Sequence, residues 1–111
     1  SVTATAVRVP VMGGHSESIN LTLEKSFDLI EVKKLLAQSK GIILEDDPEN
    51  FKYPMPINAR GKDEVFVGRI REDFSCENSL NLWVVSDNLR KGAATNAIQI
   101  LETIISKGFI S

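Results

Sequence analysis

Cysteine, histidine, tryptophan and tyrosine each occur once in this chain, as Cys76, His15, Trp83 and Tyr53, and aromatics of all kinds reach only 6%. A lone cysteine excludes an intramolecular disulfide and a cysteine-rich zinc site, and it fits a reducing, cytoplasmic setting. A lone histidine assigns any imidazole chemistry to position 15. No apolar run approaches the roughly 20 residues that span a bilayer, and no basic-then-apolar leader pattern opens the chain. Positive charge is not in excess either. Thirteen basic against 15 acidic residues leave a net charge of -2, which speaks against a general nucleic-acid binder. Internal repeats, low-complexity tracts and a GxGxxG phosphate loop are also missing.

What remains is a globular composition, 42% apolar and 25% charged over 111 residues. That is the size of one domain, 1–111, able to bury roughly 60–70% of its unfolded surface. Residues 1–10, SVTATAVRVP, alternate and are β-branched, so they read as a strand stopped at Pro10. Gly13-Gly14 marks a tight turn, and residues 18–23 alternate with Ile19, Leu21 and Leu23 on one face, a second strand. From Asp28 the period becomes helical, with Leu29, Ile30, Val32, Leu35 and Leu36 on one side, an Asp28/Glu31 capping pattern and Gly41 at the end. Residues 41–45 read as a short buried strand, and the Pro-containing stretch 46–61 as a long loop. Strands at 65–71 and 80–85 form an antiparallel hairpin. A helix at about 89–107 comes last, with Ala94, Ala97, Ile98, Leu101, Ile104 and Ile105 as its apolar stripe and Ser86, Asp87 and Asn88 as capping candidates. Five strands and two helices predict an α+β domain, one mixed, mainly antiparallel sheet covered by helices on a single face.

Several residues carry possible chemistry. His15 comes after the glycine turn, where a side chain projects into a cleft; imidazole exchanges protons near neutrality, although a lone loop histidine is by itself often incidental. Arg8 presents a fork suited to a carboxylate or phosphate, or it is a solvated strand residue. Asn88 through Ala94 opens the last helix, where free amides attract polar ligands and Gly92, Ala93 and Ala94 allow close approach; a well-capped packing face accounts for the same pattern. Cys76 lies beside Glu77 in the hairpin loop, which raises rather than lowers a thiol pKa and makes it a bystander. The acidic run Glu45-Asp46-Asp47 with Glu49 lacks calcium-loop spacing and reads as a solvated turn. Arg69 and Arg71 share a strand face and suit an anion or an interface border.

Three blocks in order then combine. Residues 8–18, RVPVMGGHSES, residues 65–71, VFVGRIR, and residues 82–94, LWVVSDNLRKGAA, together resemble bacterial aspartate-semialdehyde dehydrogenases; residues 44–47 and Tyr53-Pro54 fit as well. The similarity extends over essentially the whole chain. It implies the carboxy-terminal catalytic and dimerisation portion of a two-part enzyme, with a fold like the carboxy-terminal domain of glyceraldehyde-3-phosphate dehydrogenase. Such enzymes make aspartate semialdehyde and phosphate from aspartyl phosphate with NADP(H), on the route to lysine, methionine and threonine. By motif position the resemblance implies His15 as the acid/base, Arg8 as the carboxylate clamp and Asn88 as an NADP contact. It also implies a homodimer and a missing amino-terminal dinucleotide-binding domain toward which the last helix packs. The family's nucleotide loop and nucleophilic cysteine belong to that upstream half, and Cys76 is in the wrong place to replace the latter, so the chain is expected to be inactive alone. Its opening on Ser1 also fits a piece of something longer. A non-catalytic dimerisation module is the alternative.

Overall fold

Alternation makes a strand only where a neighbour takes up its hydrogen bonds, and four of the five expected strands find one. The computed structural model describes residues 1–110. In chain order it runs β1 (His15–Thr22), α1 (Leu29–Gln38), β2 (Ile42–Leu44), α2 (Pro56–Ala59), β3 (Val65–Glu72), β4 (Ser79–Ser86), a π-helical turn (Arg90–Ala94) and α3 (Thr95–Ser106). The sheet order is β1-β4-β3-β2; β1/β4 and β4/β3 are antiparallel and β3/β2 parallel. The expected mixed, mainly antiparallel α+β sheet is therefore present.

The expected strand over 1–10 is not. These residues form an exposed arm without regular structure, with Val2 at 95% and Val7 at 76% exposure. Strand propensity without a partner edge does not hold a strand together, because backbone groups that do not pair across a ladder stay with water.

One face of the sheet packs against α1. Asp28 starts this helix by accepting hydrogen bonds from the Ile30 and Glu31 amides at 2.7 and 3.4 Å, a cap whose loss costs about 1 kcal/mol. At about 100° per residue, Leu29, Val32 and Leu36 fall within a narrow sector and meet Val67, Ile70 and Leu80. Ile30 and Leu35, expected on the same side, lie on the flanks and are 64% and 67% exposed.

The opposite face carries Phe66, Val85, Ile43 and Trp83, and Ala59 of α2 packs on it. The 46–61 loop is thus a cover, pinned by the Trp83 indole N–H donating to the Pro54 carbonyl at 3.0 Å. Close approach of this cover depends on Gly68, where a Cβ would overlap the Glu45 carbonyl oxygen and come within 2.6 Å of Pro54 Cδ. Just beyond, the ladder register shifts between Gly68 and Arg71, and Arg69 adopts φ 53°. This bulge has a purpose that packing explains. The extra residue is turned out to solvent, and Ile70 returns to the α1 face, where it is buried.

The arm and α3 leave the body of the domain. The Cα radius of gyration is 15.4 Å, against about 13 Å for a compact chain of this length. Replacing Gly68 by alanine drives a methyl group into backbone, an overpacking that costs about 1–3 kcal/mol or more. A lowered urea midpoint in Gly68→Ala, read from Trp83 fluorescence, is the expected outcome; an unchanged midpoint means that the cover does not need the contact.

Candidate functional site

The site forms where β1 begins and β4 ends. In the β1/β4 ladder His15 lies opposite Ser86, so the next residues of the chain, Asp87 and Asn88, emerge beside the only imidazole. The glycines before His15 make the approach possible. Gly13 has φ +71°, and a Cβ at Gly14 would come within 2.9 Å of Pro56 Cβ, so the turn lies tight against α2.

Asp87 organises the turn that leads into α3. It is buried, and its carboxylate accepts from three backbone amides: Gly61 at 2.8 Å, Leu89 at 2.8 Å and Arg90 at 3.0 Å. These bonds, that of Gly61 foremost, hold its pKa below the ordinary carboxylate value of 3.8. Of the three capping candidates, Asp87 caps. The helix expected to begin at Leu89 opens instead as a wide π turn, with Gly92 N–H bonded to Asp87 O at 3.0 Å and Ala94 N–H to Leu89 O at 3.2 Å. Arg90 anchors this turn on Asp63, Nη1 to Oδ1 at 2.8 Å, and the Thr95 hydroxyl donates to the same oxygen at 2.8 Å.

The turn carries Gly92 past both candidates. A Cβ there would lie 3.7 Å from His15 Cε1 and 3.7 Å from Asn88 Cβ. His15 and Asn88 thus flank one glycine. His15 is exposed at the strand end, whereas Asn88 Oδ1 is buried and accepts no hydrogen bond from the described residues. A buried acceptor left open is costly unless something donates to it.

The other expectations divide. Arg8 is on the exposed arm, with no hydrogen bond or ion pair among the described residues. Cys76 is exposed in the β3–β4 loop, at the opposite end of β4 from His15, and eight residues of strand separate the two ends by about 23 Å. The acidic run is a tied turn. Asp46 pairs with Lys33 at 2.7 Å, and Asp47 accepts from the Asn50 side-chain and backbone N–H groups, which lowers its pKa. No group of metal-ligating side chains gathers among the described residues. Arg69 and Arg71 do not simply share a face, because the bulge intervenes; Arg71 Nη1 instead donates to the Arg69 carbonyl at 2.8 Å. Sequence reasoning missed Arg60, whose Cγ and Cδ lie 3.4 Å from where a Gly13 Cβ would sit. It also missed Gly61, the third donor to Asp87. Neither had a local signal, since both are brought here by the cover loop.

Comparison with known proteins identifies the neighbourhood. The family model described as "Semialdehyde dehydrogenase, dimerisation domain" matches residues 1–91. The aspartate-semialdehyde dehydrogenase of Aquifex aeolicus (strain VF5) is 54% identical over 109 residues, which is 98% of this chain and 32% of that protein. Among solved structures, aspartate semialdehyde dehydrogenase II of Vibrio cholerae, complexed with ASA, superposes with a TM-score of 0.81 at 43% identity, covering 91% of this chain and 30% of that one. The Candida albicans enzyme with NADP superposes at 0.70, with 31% identity over 93% of this chain and 33% of that one. The chain therefore spans about a third of the length of the relatives it matches. Among the described residues no helix is long and apolar enough to cross a membrane.

The Asp87 geometry sets a pH dependence with a definite sign. Because folding lowers its pKa, its contribution to stability is complete above the ordinary value of 3.8 and disappears as pH falls through the lower folded value. The thermal midpoint of Asp87→Asn should lie below that of the native chain by a constant gap above about pH 5, and the gap should close toward pH 2. A gap independent of pH over that range would show that the charge of Asp87 does not matter.

Proposed function

The chain belongs to the semialdehyde dehydrogenase family, through its dimerisation domain, and from that premise we propose that it is the carboxy-terminal catalytic and dimerisation portion of an NADP-dependent aspartate-semialdehyde dehydrogenase. The reaction is the reductive dephosphorylation of aspartyl phosphate to aspartate semialdehyde, in the cytoplasmic synthesis of lysine, methionine and threonine. The observation that carries this reading is the register of β1 on β4, which brings the only histidine to the glycine, Gly92, that Asn88 also adjoins.

His15 has the chemistry of a general acid/base. Its imidazole is exposed at the mouth of the glycine turn, free to give a proton to, or take one from, an oxygen on the reacting carbon. Arg8 supplies a guanidinium without a partner among the described residues, whose fork matches the substrate carboxylate through two parallel hydrogen bonds. Asn88 fits the nicotinamide end of NADP, because its buried, unsatisfied Oδ1 is an acceptor for a carboxamide N–H. When bound, NADP supplies the hydride chemistry; the chain's own share is to hold that end of the cofactor beside His15.

The nucleophile and the rest of the cofactor site belong to the amino-terminal portion that the chain does not span. Cys76 is at the far end of β4, and without a thiolate beside His15 no acyl-enzyme forms, so the chain is inactive alone. The last helix packs toward that portion. Its Ile98, Leu101 and Ile105 are 59%, 47% and 53% exposed here, an apolar stripe of the kind that a partner domain covers. Two such two-part subunits form a homodimer through this domain.

The reading is tested by combining the chain with the remaining amino-terminal two-thirds of the Aquifex aeolicus relative and assaying phosphate-dependent reduction of NADP with aspartate semialdehyde. Turnover is expected only from the combination. His15→Ala should lower kcat by about 10²–10⁴-fold, Arg8→Lys should raise KM for the semialdehyde, and Asn88→Ala should raise KM for NADP. Full activity in His15→Ala would refute the role given to His15, and a combination indifferent to all three changes would leave the chain a dimerisation module only.

A further inference from the structure

Away from His15, the cover loop and the bulge of β3 border a half-open cavity of about 310 Å³ that includes Phe51, Lys52, Tyr53, Arg69, Ile70 and Arg71 in its lining. Three cations border it, and none of them has a carboxylate within 4.0 Å among the described residues. The single acid in the lining, Asp46, is already committed. Its Oδ2 is 2.7 Å from Lys33 Nζ, and its Oδ1 accepts from the Ile70 amide at 3.3 Å. Asp47 and Asp73, outside the lining, act on Lys52 and Arg71 through space without pairing with them, so the positive charge is partly offset while the three cations stay free of ion pairs.

Its apolar surface comes from Phe51, 86% exposed, and Tyr53, 41% exposed, while Ile70 contributes at its backbone, whose amide faces Asp46. The Arg69 guanidinium stands over the Tyr53 ring, 5.6 Å from its centroid, and Arg71 Nη1 donates to the Arg69 carbonyl at 2.8 Å. Two of the three non-glycine residues with left-handed backbone, Phe51 at φ 54° and Arg69 at φ 53°, belong to this one lining. Left-handed backbone is unfavourable for side chains of this size and is retained where the surrounding structure or a ligand uses it. Here it falls on two residues that line one space.

We propose that this cavity is a binding site for a small organic anion with a planar apolar body, an aryl phosphate or aryl carboxylate, whose ring lies against Phe51 and Tyr53 and whose anionic group is held by Arg69 and Arg71. Guanidinium forks match such oxyanions bidentately, and stacked rings supply the apolar contact. The site is separate from the one built around His15 and does not depend on the reaction assigned to it.

Phenyl phosphate titrated into the 111-residue chain, followed by amide chemical shifts in two-dimensional NMR, tests the assignment. Saturable shifts are expected at Phe51, Tyr53 and Ile70, with inorganic phosphate binding at least tenfold more weakly. Arg71→Gln and Arg69→Asn, the latter chosen because asparagine tolerates left-handed backbone, should each weaken phenyl phosphate at least tenfold, and Tyr53→Leu several-fold, with the remaining amides unmoved. Equal affinity in the two arginine variants would overturn the proposal. Equal affinity for inorganic phosphate would remove the apolar body from it. Shifts at the cavity amides that follow protein concentration and ignore phenyl phosphate would overturn it in favour of a second copy's carboxylates.

Discussion

The carboxylate of Asp87 is the interaction on which the architecture of the site depends. It stands at the end of β4 and accepts from amides belonging to two different parts of the chain, Gly61 after α2 and Leu89 and Arg90 in the turn before α3. One side chain thus fixes where the cover loop stops and where the last helical segment starts. A charged acceptor serving three backbone donors makes stronger bonds than a neutral one and accounts for the lowered pKa of Asp87. With Asp87 held, the π turn carries Gly92 past His15 and Asn88.

Two faces of one sheet serve different ends. The α1 face is a conventional apolar layer of Val67, Ile70 and Leu80 under Leu29, Val32 and Leu36. The other face is covered by a loop and a four-residue helix, and loops bring polar backbone with them. That cover succeeds because Gly68 removes the side chain that would block it and because the Trp83 indole satisfies the Pro54 carbonyl. The bulge at Arg69 connects the two faces, since the same extra residue that returns Ile70 to the core turns a guanidinium out over Tyr53.

Strands β1 to β4 and both long helices were legible, the strands as alternating or short apolar runs and the helices as apolar stripes of period 3.6. The 1–10 segment shows the same alternation and forms no strand, since alternation records a propensity and not the presence of a partner. On α1, the five apolar residues from Leu29 to Leu36 read as one face, yet a sheet presents a surface wide enough for only three of them. At the site, His15 and Asn88 were legible as members of motifs. Arg60 and Gly61 were not, because they approach from a loop more than 20 positions away and carry no local sign of it.

By itself the amino-acid sequence determined the fold class, the family, and which residue types were available for chemistry: one imidazole, one thiol in a hairpin loop, and a small-residue turn after Asn88. Those depend on local spacing and on composition, which are properties of the chain. Only the tertiary structure decided which of them meet. The β1/β4 register brought His15 to Asn88 and left Cys76 at the opposite end of β4, and the cover loop brought Arg60 and Gly61 into the same corner. Meeting in space is set by hydrogen-bond register and by long-range packing, and neither is written in the order of neighbouring residues.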